Sequence, residues 1–323
     1  MRTKSEQLEG EGVGDEVCAS CGIAAIDDVK LKDCDGGCDL VKYCGDGCQI
    51  NHREEHDEEC NKRKIELHDK DLFTKQSGMS HHGECPICCL PLSLDVRKSS
   101  MMSCCCKVIC NGCSYANQKR EVEQGLEHRC PFCREPEAKS DEKYNKRRMN
   151  RIKKHNDPVA MTATAKRYYH KGDNRKAVEY YTKAAELGDV EAHYCLGCLY
   201  YNGEGVEKDM KKALLHLEQA AIGGHAAARI LLAFHEEDSG RFDRAAKHFI
   251  IAANLGWEES LKCIKQAFIE GIASKEDYAA ALRGYQAAVD ATKSDERDEA
   301  EKMLKKHASL THLFRSRVDD SLV

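Results

Sequence analysis

The sequence predicts a multidomain protein: two small cysteine-rich cross-brace modules with little regular structure, followed by an all-α helical-repeat solenoid. Seventeen of the 20 cysteines fall between Cys18 and Cys133, most of them in short-spaced pairs. This stretch is poor in aromatic residues, with one between residues 18 and 60 and two between residues 85 and 133. From about residue 158 the chain becomes rich in Ala, Leu and Tyr, and paired alanines recur at intervals of 36, 32 and 35 residues.

The cysteine pairs have the spacing of zinc ligands. Thiolates two or three residues apart across a tight turn can converge on one tetrahedral ion, and a second pair completes the four ligands. A disulfide framework is the alternative, but it needs an oxidising compartment. The N-terminus lacks the apolar core of a secretory signal, and no run of about 18 apolar residues could span a membrane. The sequence therefore predicts an intracellular protein, cytoplasmic and/or nuclear, that binds about four Zn²⁺ ions.

The metal is expected to be a requirement of the fold. Modules this short, with so few large apolar groups, cannot be stabilised by burial alone. Structural zinc supplies on the order of 10 kcal/mol or more per ion in finger peptides, which is enough to make up the deficit. The net charge of −5 argues against broad nucleic-acid binding, so the expected partners are proteins or peptides.

The first module resembles the MYND finger. Its Tyr-Cys-x-x-x-Cys-Gln core begins at Tyr43, and a His-x-x-x-Cys pair follows at His56. The resemblance covers the whole module and implies that the ligand pairs interleave, so that each zinc takes two pairs. The implied sets are Cys18, Cys21, Cys44 and Cys48 for one zinc, and Cys34, Cys38, His56 and Cys60 for the other.

This module departs from the MYND pattern at two places. Its second cysteine pair encloses three residues where two are usual, and Gly36 and Gly37 can absorb the insertion because glycine tolerates backbone angles closed to other residues. His52 stands where the family usually has Trp, which leaves it as a reserve ligand for His56. MYND fingers are typically peptide-docking or protein-interaction modules, so the resemblance implies a protein partner. A purely structural brace is the alternative.

The second module resembles a RING finger. Cys-Pro-Ile-Cys opens it at Cys85, and Cys-Pro-Phe-Cys-Arg closes it from Cys130. The cross-brace that this resemblance implies again gives each zinc two pairs of ligands. The implied sets are Cys85, Cys88, Cys110 and Cys113 for one zinc, and Cys104, Cys105, Cys130 and Cys133 for the other.

The centre of the second module departs from the RING pattern. Lys107 stands where a RING has a histidine ligand, and an ammonium ion cannot ligate a metal. The run of three cysteines just before it must then supply both central ligands. Proteins of similar build commonly carry Cys-Cys followed by a small residue here, which favours Cys104 and Cys105. Cys106 remains a competitor for either position.

RING fingers often act in ubiquitin transfer by docking a charged conjugating enzyme, and form no covalent intermediate themselves. In that resemblance Ile87 and Pro131 would form the apolar docking spot. Arg134 would hydrogen-bond the conjugating enzyme and ubiquitin together, a role that suits a planar five-donor guanidinium. The alternative is that Ile87 and Pro131 only pack the finger and Arg134 is a solvated charge. No organised base is visible near Cys89, which favours a spare thiol over a nucleophile.

Polar segments flank the second module. Residues 62–84 predict a short helix that packs the two modules together, and His81 and His82 are expected to be free linker histidines. Residues 136–156 turn strongly basic, with seven Lys or Arg and no acid in the last 14 positions. That patch predicts either one solvated face of a helix, or a nuclear localisation signal or RNA-phosphate contact.

The alanine period predicts about four helix pairs over residues 157–292. The best copy, residues 192–221, resembles the Sel-like repeat, a short relative of the tetratricopeptide repeat. Gly-x-Gly at Gly203 is expected to reverse the chain between helices, Asp209 to cap the second helix, and Ser274 to begin a capping box. Solenoids of this kind present a concave face to peptides or partner proteins.

Two functions from different classes fit this organisation. The first is a non-catalytic zinc-binding adaptor, in which the fingers and the repeats each dock a protein partner. The second is a RING-type ubiquitin ligase whose repeats bind the substrate. Catalytic zinc needs an open coordination position, so sites closed by four protein ligands argue against a metal hydrolase. The predicted boundaries are 1–16 for a disordered leader, 17–61 for the first finger, 62–84 for the helical linker, 85–135 for the second finger, 136–156 for the basic linker, 157–292 for the repeats and 293–323 for a terminal helix and tail.

Overall fold

The fold was analysed in a computed structural model that describes residues 17–23, 25, 30–74 and 78–306. The chain divides into two compact units, one within residues 1–75 and the other within residues 76–323. The second unit contains both the second cysteine-rich finger and the helical repeats. The expected leader (1–16) and the end of the expected tail (307–323) lie outside the described residues.

The first unit joins a short hairpin to one long helix. Strands β1 (Lys32–Asp33) and β2 (Lys42–Tyr43) pair antiparallel, and helix α1 (Asp46–Thr74) runs for 29 residues. The separate short helix expected after residue 61 is instead the second half of α1. The reason is that the chain between Gly47 and the end of α1 contains neither Gly nor Pro, so nothing terminates the helix.

The second finger is a hairpin followed by a helix. A 3₁₀ turn (Val96–Lys98) leads into β3 (Ser99–Met101), which pairs antiparallel with β4 (Val108–Cys110). Helix α2 (Asn111–Glu123) follows directly, so the last residue of β4 is also the N-cap of α2. The small core of this finger consists of Cys85, Leu92, Ile109 and Cys110.

The basic segment folds as helix α3 (Asp141–His155), and part of its charge is structural. Arg148 is buried and donates a hydrogen bond to the carbonyl oxygen of Ala163 at 3.2 Å. Arg151 donates to the carboxylate of Asp157 at 2.9 Å. Arg147 also donates to the carbonyl oxygen of Pro136 at 2.7 Å. The expectation of one solvated basic face therefore holds only for the four lysines of α3, which are exposed.

Eight helices make up the repeat region, as about four helix pairs require. They are α4 (Pro158–His170), α5 (Asn174–Glu186), α6 (Val190–Asn202), α7 (Met210–Ile222), α8 (Ala226–Asp238), α9 (Phe242–Asn254), α10 (Glu259–Ile269) and α11 (Lys275–Ala291). α4 packs on α5, α6 on α7 and α8 on α9, while α10 and α11 both pack on α9. A further helix, the terminal helix, spans residues 295–306. None of the described helices is both long enough and apolar enough to cross a membrane.

The turn and cap signals in the sequence are confirmed. Asp209 accepts a hydrogen bond from the backbone N–H of Lys212 at 3.1 Å, and Ser274 forms a capping box with Asp277. Each of the first three alanine pairs is followed by a glycine with φ between 81° and 94°, the left-handed conformation that ends many helices. These glycines are Gly188, Gly224 and Gly256.

Small side chains form the core of the repeats. The leading alanine of each of the first three pairs (Ala184, Ala220 and Ala252) is completely buried. A Cβ atom added to Gly197 in α6 would lie 2.8 Å from the side chain of Leu217 in α7, which is too close. Glycine is therefore needed where these two helices cross, and the alanine period marks the helix contacts.

Candidate metal centres

Two clusters of four donors lie in the first finger. Within each cluster the ligand atoms all lie within 4.8 Å of one another. The clusters are Cys18, Cys21, Cys44 and Cys48, and Cys34, Cys38, His56 and Cys60. They are the two sets that the MYND resemblance implies, and they interleave along the chain as expected.

Two further clusters lie in the second finger, with the same spacing of donor atoms. They are Cys85, Cys88, Cys110 and Cys113, and Cys104, Cys105, Cys130 and Cys133. The first set joins the opening pair of the finger to the end of β4 and the start of α2. The second joins the loop between β3 and β4 to the closing pair, which gives the cross-brace connectivity.

The sulfur spacing in all four clusters fits a tetrahedral zinc ion. A Zn–S bond of about 2.3 Å places neighbouring sulfurs about 3.8 Å apart, because they occupy the corners of a tetrahedron. Six sulfur pairs, at least one in each cluster, lie 3.3 to 3.9 Å apart, and all donor atoms of a cluster lie within 4.8 Å of one another. A disulfide would bring them to about 2.05 Å, and all 20 cysteines are free. The donor sets are therefore compatible with four zinc ions, whereas ligation by each residue stays a prediction.

The structure separates the two candidate histidines of the first finger. His56 is buried, and its Nε2 atom lies 3.1 Å from the Sγ atom of Cys38 inside the cluster. His52 lies outside the cluster, where its Nδ1 atom forms a 3.0 Å hydrogen bond with the hydroxyl of Tyr43. Its ring stacks on that of His56 with centroids 5.8 Å apart. The geometry favours His56 as the ligand and His52 as its support.

The two glycines of the first finger have different uses. Gly37 has φ of 72°, a left-handed conformation that favours glycine. Gly36 has ordinary backbone angles, but a Cβ atom added there would lie 2.6 Å from the Sγ atom of Cys60. The longer cysteine pair therefore needs one glycine for its turn and the other for close approach to a zinc ligand.

One backbone turn occurs four times in the two fingers. In each copy the N–H of the first residue donates to the carbonyl five positions later, and the N–H of the fifth residue donates back to the first carbonyl, at 2.8 to 2.9 Å. The fifth residue has φ between 54° and 74° in every copy. The first residues are Cys18, Cys85, Met102 and Cys130, and the fifth residues are Gly22, Cys89, Cys106 and Arg134.

The register of this turn indicates which two cysteines of the run at residues 104–106 belong to the cluster. The fourth position of each copy holds a clustered cysteine, and in the third copy that residue is Cys105. Met102 replaces the usual cysteine at the first position, and Cys104 joins the cluster instead. Cys106 occupies the fifth position and is buried beside the charged groups of Arg151 and Asp157, outside the cluster. The register of the turn, which the sequence analysis missed, favours Cys104 and Cys105 as ligands.

Backbone N–H groups prepare the first cysteine of the turn for ligation. Hydrogen bonds from the N–H groups of Cys21 and Cys44 lower the pKa of Cys18 to about 6. Burial acts to raise the pKa of Cys85, but backbone N–H groups outweigh it and lower the pKa to about 7. The thiolate is the form that binds zinc, so these N–H groups favour the binding form of Cys18 and Cys85. Other thiols of the clusters differ, since burial raises the pKa of Cys60 to about 12.

The three residues of the possible conjugating-enzyme surface differ in exposure. Ile87 is 41% exposed and Arg134 is also exposed. Pro131 is only half-buried and lines a cavity of about 220 Å³. Arg134 also occupies the strained fifth position of its turn, with φ of 64°, as Cys89 does in its own turn. The expectation that Cys89 is a spare thiol beside a metal site agrees with this placement.

His81 and His82 are not free, which corrects the expectation from the sequence. His82 Nδ1 lies 2.9 Å from the carbonyl oxygen of Ser93. His81 Nε2 lies 3.1 Å from the Oε2 atom of Glu191 in α6, and the backbone N–H of His81 donates to the carbonyl of Gly224 at 3.1 Å. The Nε2 atom of His225 lies 3.2 Å from the same carboxylate oxygen. The Nζ atom of Lys166 lies 2.6 Å from the other oxygen. His81 and Glu191 are 110 positions apart in the sequence, so no local sequence pattern predicts that they meet.

This cluster resembles a metal site in composition but not in chemistry. The Nδ1 atom of His225 accepts a hydrogen bond from the backbone N–H of Ala228, as the N-cap of α8. In a neutral imidazole the proton then lies on Nε2, which donates to Glu191 and offers no lone pair to a metal. Lys166 already balances the carboxylate charge. The cluster therefore attaches the segment before the second finger to the repeats.

Two families match parts of the chain, one in the first finger and one in the first half of the repeats. Residues 18–60 match the MYND finger, and residues 158–189 and 190–225 each match the Sel1 repeat. The chain therefore carries a MYND finger and Sel1 repeats. The likeness of residues 85–135 to a RING finger stays a prediction.

Similar proteins share parts of the chain. It is 30% identical over 89 residues to chitin synthase regulatory factor 4 of Schizosaccharomyces pombe, a match that covers 27% of this chain and 14% of that relative. A solved Sel1 repeat protein from Oxalobacter formigenes has 21% identity and a TM-score of 0.41, covering 60% of this chain and 86% of its own. A protective antigen of uropathogenic Escherichia coli with an SLR fold has 20% identity and a TM-score of 0.38, covering 61% and 40%.

Proposed function

From a MYND finger and Sel1 repeats in one chain, we propose a zinc-binding adaptor in which the fingers and the repeats each dock a protein partner. The completeness of the donor sets carries this proposal, because each of the four clusters has four protein donors. Catalytic zinc keeps an open coordination position, so zinc here holds the fingers folded. Function then belongs to the surfaces that the folded fingers and repeats present.

A repeated pair of exposed tyrosines supports a docking surface on the repeats. Tyr169 and Tyr201 are the twelfth residues of α4 and α6, and they are 39% and 48% exposed. The Nζ atom of Lys208 lies 5.5 Å from the ring centroid of Tyr201. Tyrosine is enriched among the residues that dominate binding energy at protein interfaces. We assign the repeat partner to this surface.

The MYND finger offers its own exposed apolar side chains. Ile50 on α1 is 65% exposed, and Leu40 in the loop before β2 is 42% exposed. Burying such groups against a peptide would stabilise a complex by roughly 25 cal/mol per Å² of apolar surface. We assign a second, separate partner to this finger, since an adaptor needs two independent docking surfaces.

Affinity purification with the full-length zinc-loaded protein tests the adaptor. A double variant, Tyr169→Ala with Tyr201→Ala, removes the proposed surface on the repeats. A single variant, Ile50→Ala, removes the proposed surface on the MYND finger. Leu215→Ala is the matched control, because Leu215 is 57% exposed on α7 and belongs to neither surface. We expect each variant to lose a different set of partners by about tenfold or more, and the control to keep both sets. Identical partner sets for all four proteins would contradict the proposal.

We propose that the adaptor acts in a reducing compartment, the cytoplasm or the nucleus. Fifteen of the sixteen donors in the four clusters are thiols, which must stay reduced to bind metal, and an oxidising compartment would pair them instead. A fluorescent fusion of the full-length chain, viewed in intact cells, tests this location. Retention in the secretory pathway would contradict it.

A ubiquitin ligase is the second candidate, favoured by the exposure of Ile87 and Arg134 at the tips of the opening and closing turns. In this function the finger at residues 85–135 would recruit a charged conjugating enzyme, with Pro131 beside Ile87. The repeats would then hold the substrate. Arg134 would act as a hydrogen-bond donor to the conjugating enzyme and ubiquitin, without a covalent intermediate on this chain.

Discharge of ubiquitin from a panel of charged conjugating enzymes separates the two functions. Ile87→Ala and Arg134→Ala test the surface, and Arg97→Ala is the control, because Arg97 is an exposed arginine of the same finger. A ligase requires discharge by the wild type and by the control, and loss in both test variants, with zinc content intact. No discharge across the panel would exclude the ligase and leave the adaptor.

A further inference from the structure

An arginine from the terminal helix enters the zinc cluster that opens the second finger. The guanidinium of Arg297 donates from Nη1 to the carbonyl oxygen of Pro91 at 2.7 Å. From Nη2 it donates to the carbonyl oxygen of Leu90 at 3.1 Å and to the Sγ atom of Cys88 at 3.4 Å. A fourth bond, from Nη1 to the carbonyl of Thr292 at 2.7 Å, fixes the side chain to the end of α11.

A second observation shows that the terminal helix is seated closely on the same cluster. Gly112 lies in the first turn of α2, between Cys110 and Cys113. A Cβ atom added there would lie 2.9 Å from the backbone nitrogen of Arg297 and 3.0 Å from the backbone carbon of Glu296. Backbone atoms cannot rotate away, so this glycine is needed for the contact between α2 and the terminal helix.

Two ion pairs line the same contact. The Nζ atom of Lys119 in α2 lies 3.0 Å from a carboxylate oxygen of Glu299, and that of Lys98 lies 3.1 Å from Glu301. All four groups are well exposed, so each pair contributes little to stability. They help to orient the helix, and Arg297 makes the half-buried contact.

We propose that Arg297 is a positioning residue for the zinc site of Cys85, Cys88, Cys110 and Cys113, through which the terminal helix stabilises metal binding by the second finger. Four thiolates around Zn²⁺ leave a net charge of −2, and a nearby cation that donates N–H···S bonds offsets it. The planar fork of Arg297 also holds the loop carbonyls of Leu90 and Pro91, which fixes the geometry of the opening turn. Groups that orient metal ligands in this way typically change metal affinity 10- to 100-fold.

The contact links metal binding to docking of the terminal helix in both directions. If Arg297 raises zinc affinity, then zinc must strengthen docking of the helix by the same factor. Among the described residues, Arg297 forms no hydrogen bond with the other cluster of the finger, which holds Cys104 and Cys105. It therefore serves as an internal reference within one folded protein.

Cysteine alkylation under chelator challenge, read by mass spectrometry, tests the proposal on the full-length zinc-loaded protein. Arg297→Gln removes the charge and the fork, Arg297→Lys keeps only the charge, and Arg283→Gln is the control on an exposed arginine of α11. In Arg297→Gln we expect Cys88 and Cys113 to become modified about 10- to 100-fold faster. Cys105 and Cys133 should react at the wild-type rate, and Arg297→Lys should fall between.

Two outcomes would overturn the proposal. Unchanged protection of Cys88 in Arg297→Gln would mean that the arginine only packs the helix. Equal acceleration at Cys88 and Cys133 would mean general unfolding of the finger. A reciprocal measurement is independent of any variant: hydrogen exchange in residues 295–306 should speed up at least tenfold when zinc is removed, while exchange in α4 to α7 stays the same. Unchanged exchange in the terminal helix would contradict the linkage.

Discussion

The cysteine-rich fingers and the helical repeats reach a folded state by different means. The buried cluster of the first finger consists of four cysteines and Tyr43, so the metal ligands are themselves the core. The repeats bury clusters of Ala, Leu, Tyr and Phe with no ligand among them, such as the one around Leu196 and Tyr181. We therefore expect the fingers to depend on a bound ion, whereas the repeats depend on the fit between helices.

This contrast explains why so short a chain segment can carry a finger. A buried cysteine contributes little apolar area, and the fingers contain few other large side chains to bury. Zinc replaces the missing burial and at the same time joins segments that are distant in sequence. The helical repeats need no such link, since each helix contacts mainly its neighbours along the chain.

Removing the metal should produce the largest difference in stability between the fingers and the repeats. We expect a strong chelator to expose the finger cysteines to alkylation, since on the order of 10 kcal/mol per zinc is lost. The repeat helices should keep their far-ultraviolet circular dichroism and their hydrogen-exchange protection from α4 to α9. Melting of those helices on chelation, with the protein still monomeric, would show that the contrast is wrong.

A single ligand change should remove one ion. Cys105→Ser should lower the zinc content measured by mass spectrometry from about four ions per chain to about three, because three donors hold zinc poorly. Cys106→Ser is the matched variant, one position along the same run, and should keep all four. The reverse result, with zinc lost from Cys106→Ser, would mean that the turn is in another register in solution.

A core truncation in the repeats should leave the metal in place. Leu196 is 1% exposed, so Leu196→Ala should destabilise the repeats by about 2 to 5 kcal/mol in chemical unfolding. Leu215→Ala, at a site 57% exposed, should change stability by less than about 0.5 kcal/mol. Zinc content should be unchanged in both. A truncation at Leu196 without measurable effect would contradict the packing described here.

Local features of the structure were predictable from the sequence, and contacts between distant residues were not. The grouping of the donor residues into four clusters agrees with what the family resemblances imply, and the helix contacts follow from the alanine period. Whether Cys106 belongs to the donor cluster depends on the register of a backbone turn. Hydrogen bonds define that register, and residue types alone do not. The full length of α1 was missed because ligands such as His56 and Cys60 interrupt the apolar pattern that marks a helix.

The two clusters that join the second finger to the repeats lay beyond sequence reasoning for a different reason. Glu191 meets His81 across 110 positions and Arg297 meets Cys88 across 209. Glu191 and Arg297 are charged residues on helices, and His81 is a histidine in a polar linker. Nothing in the sequence around any of the three indicates its partner. Only the packing of the folded unit gives them partners.

The distance between Cys88 and Arg297 along the chain also has a consequence in time. A ribosome adds about 5 to 20 residues per second, so the 209 residues between them take roughly 10 to 40 s to synthesise. The second finger and its candidate zinc site are therefore synthesised well before Arg297. If Arg297 raises zinc affinity, a nascent chain that lacks it would bind zinc at this site more weakly than the finished protein. The affinity would rise once translation is complete.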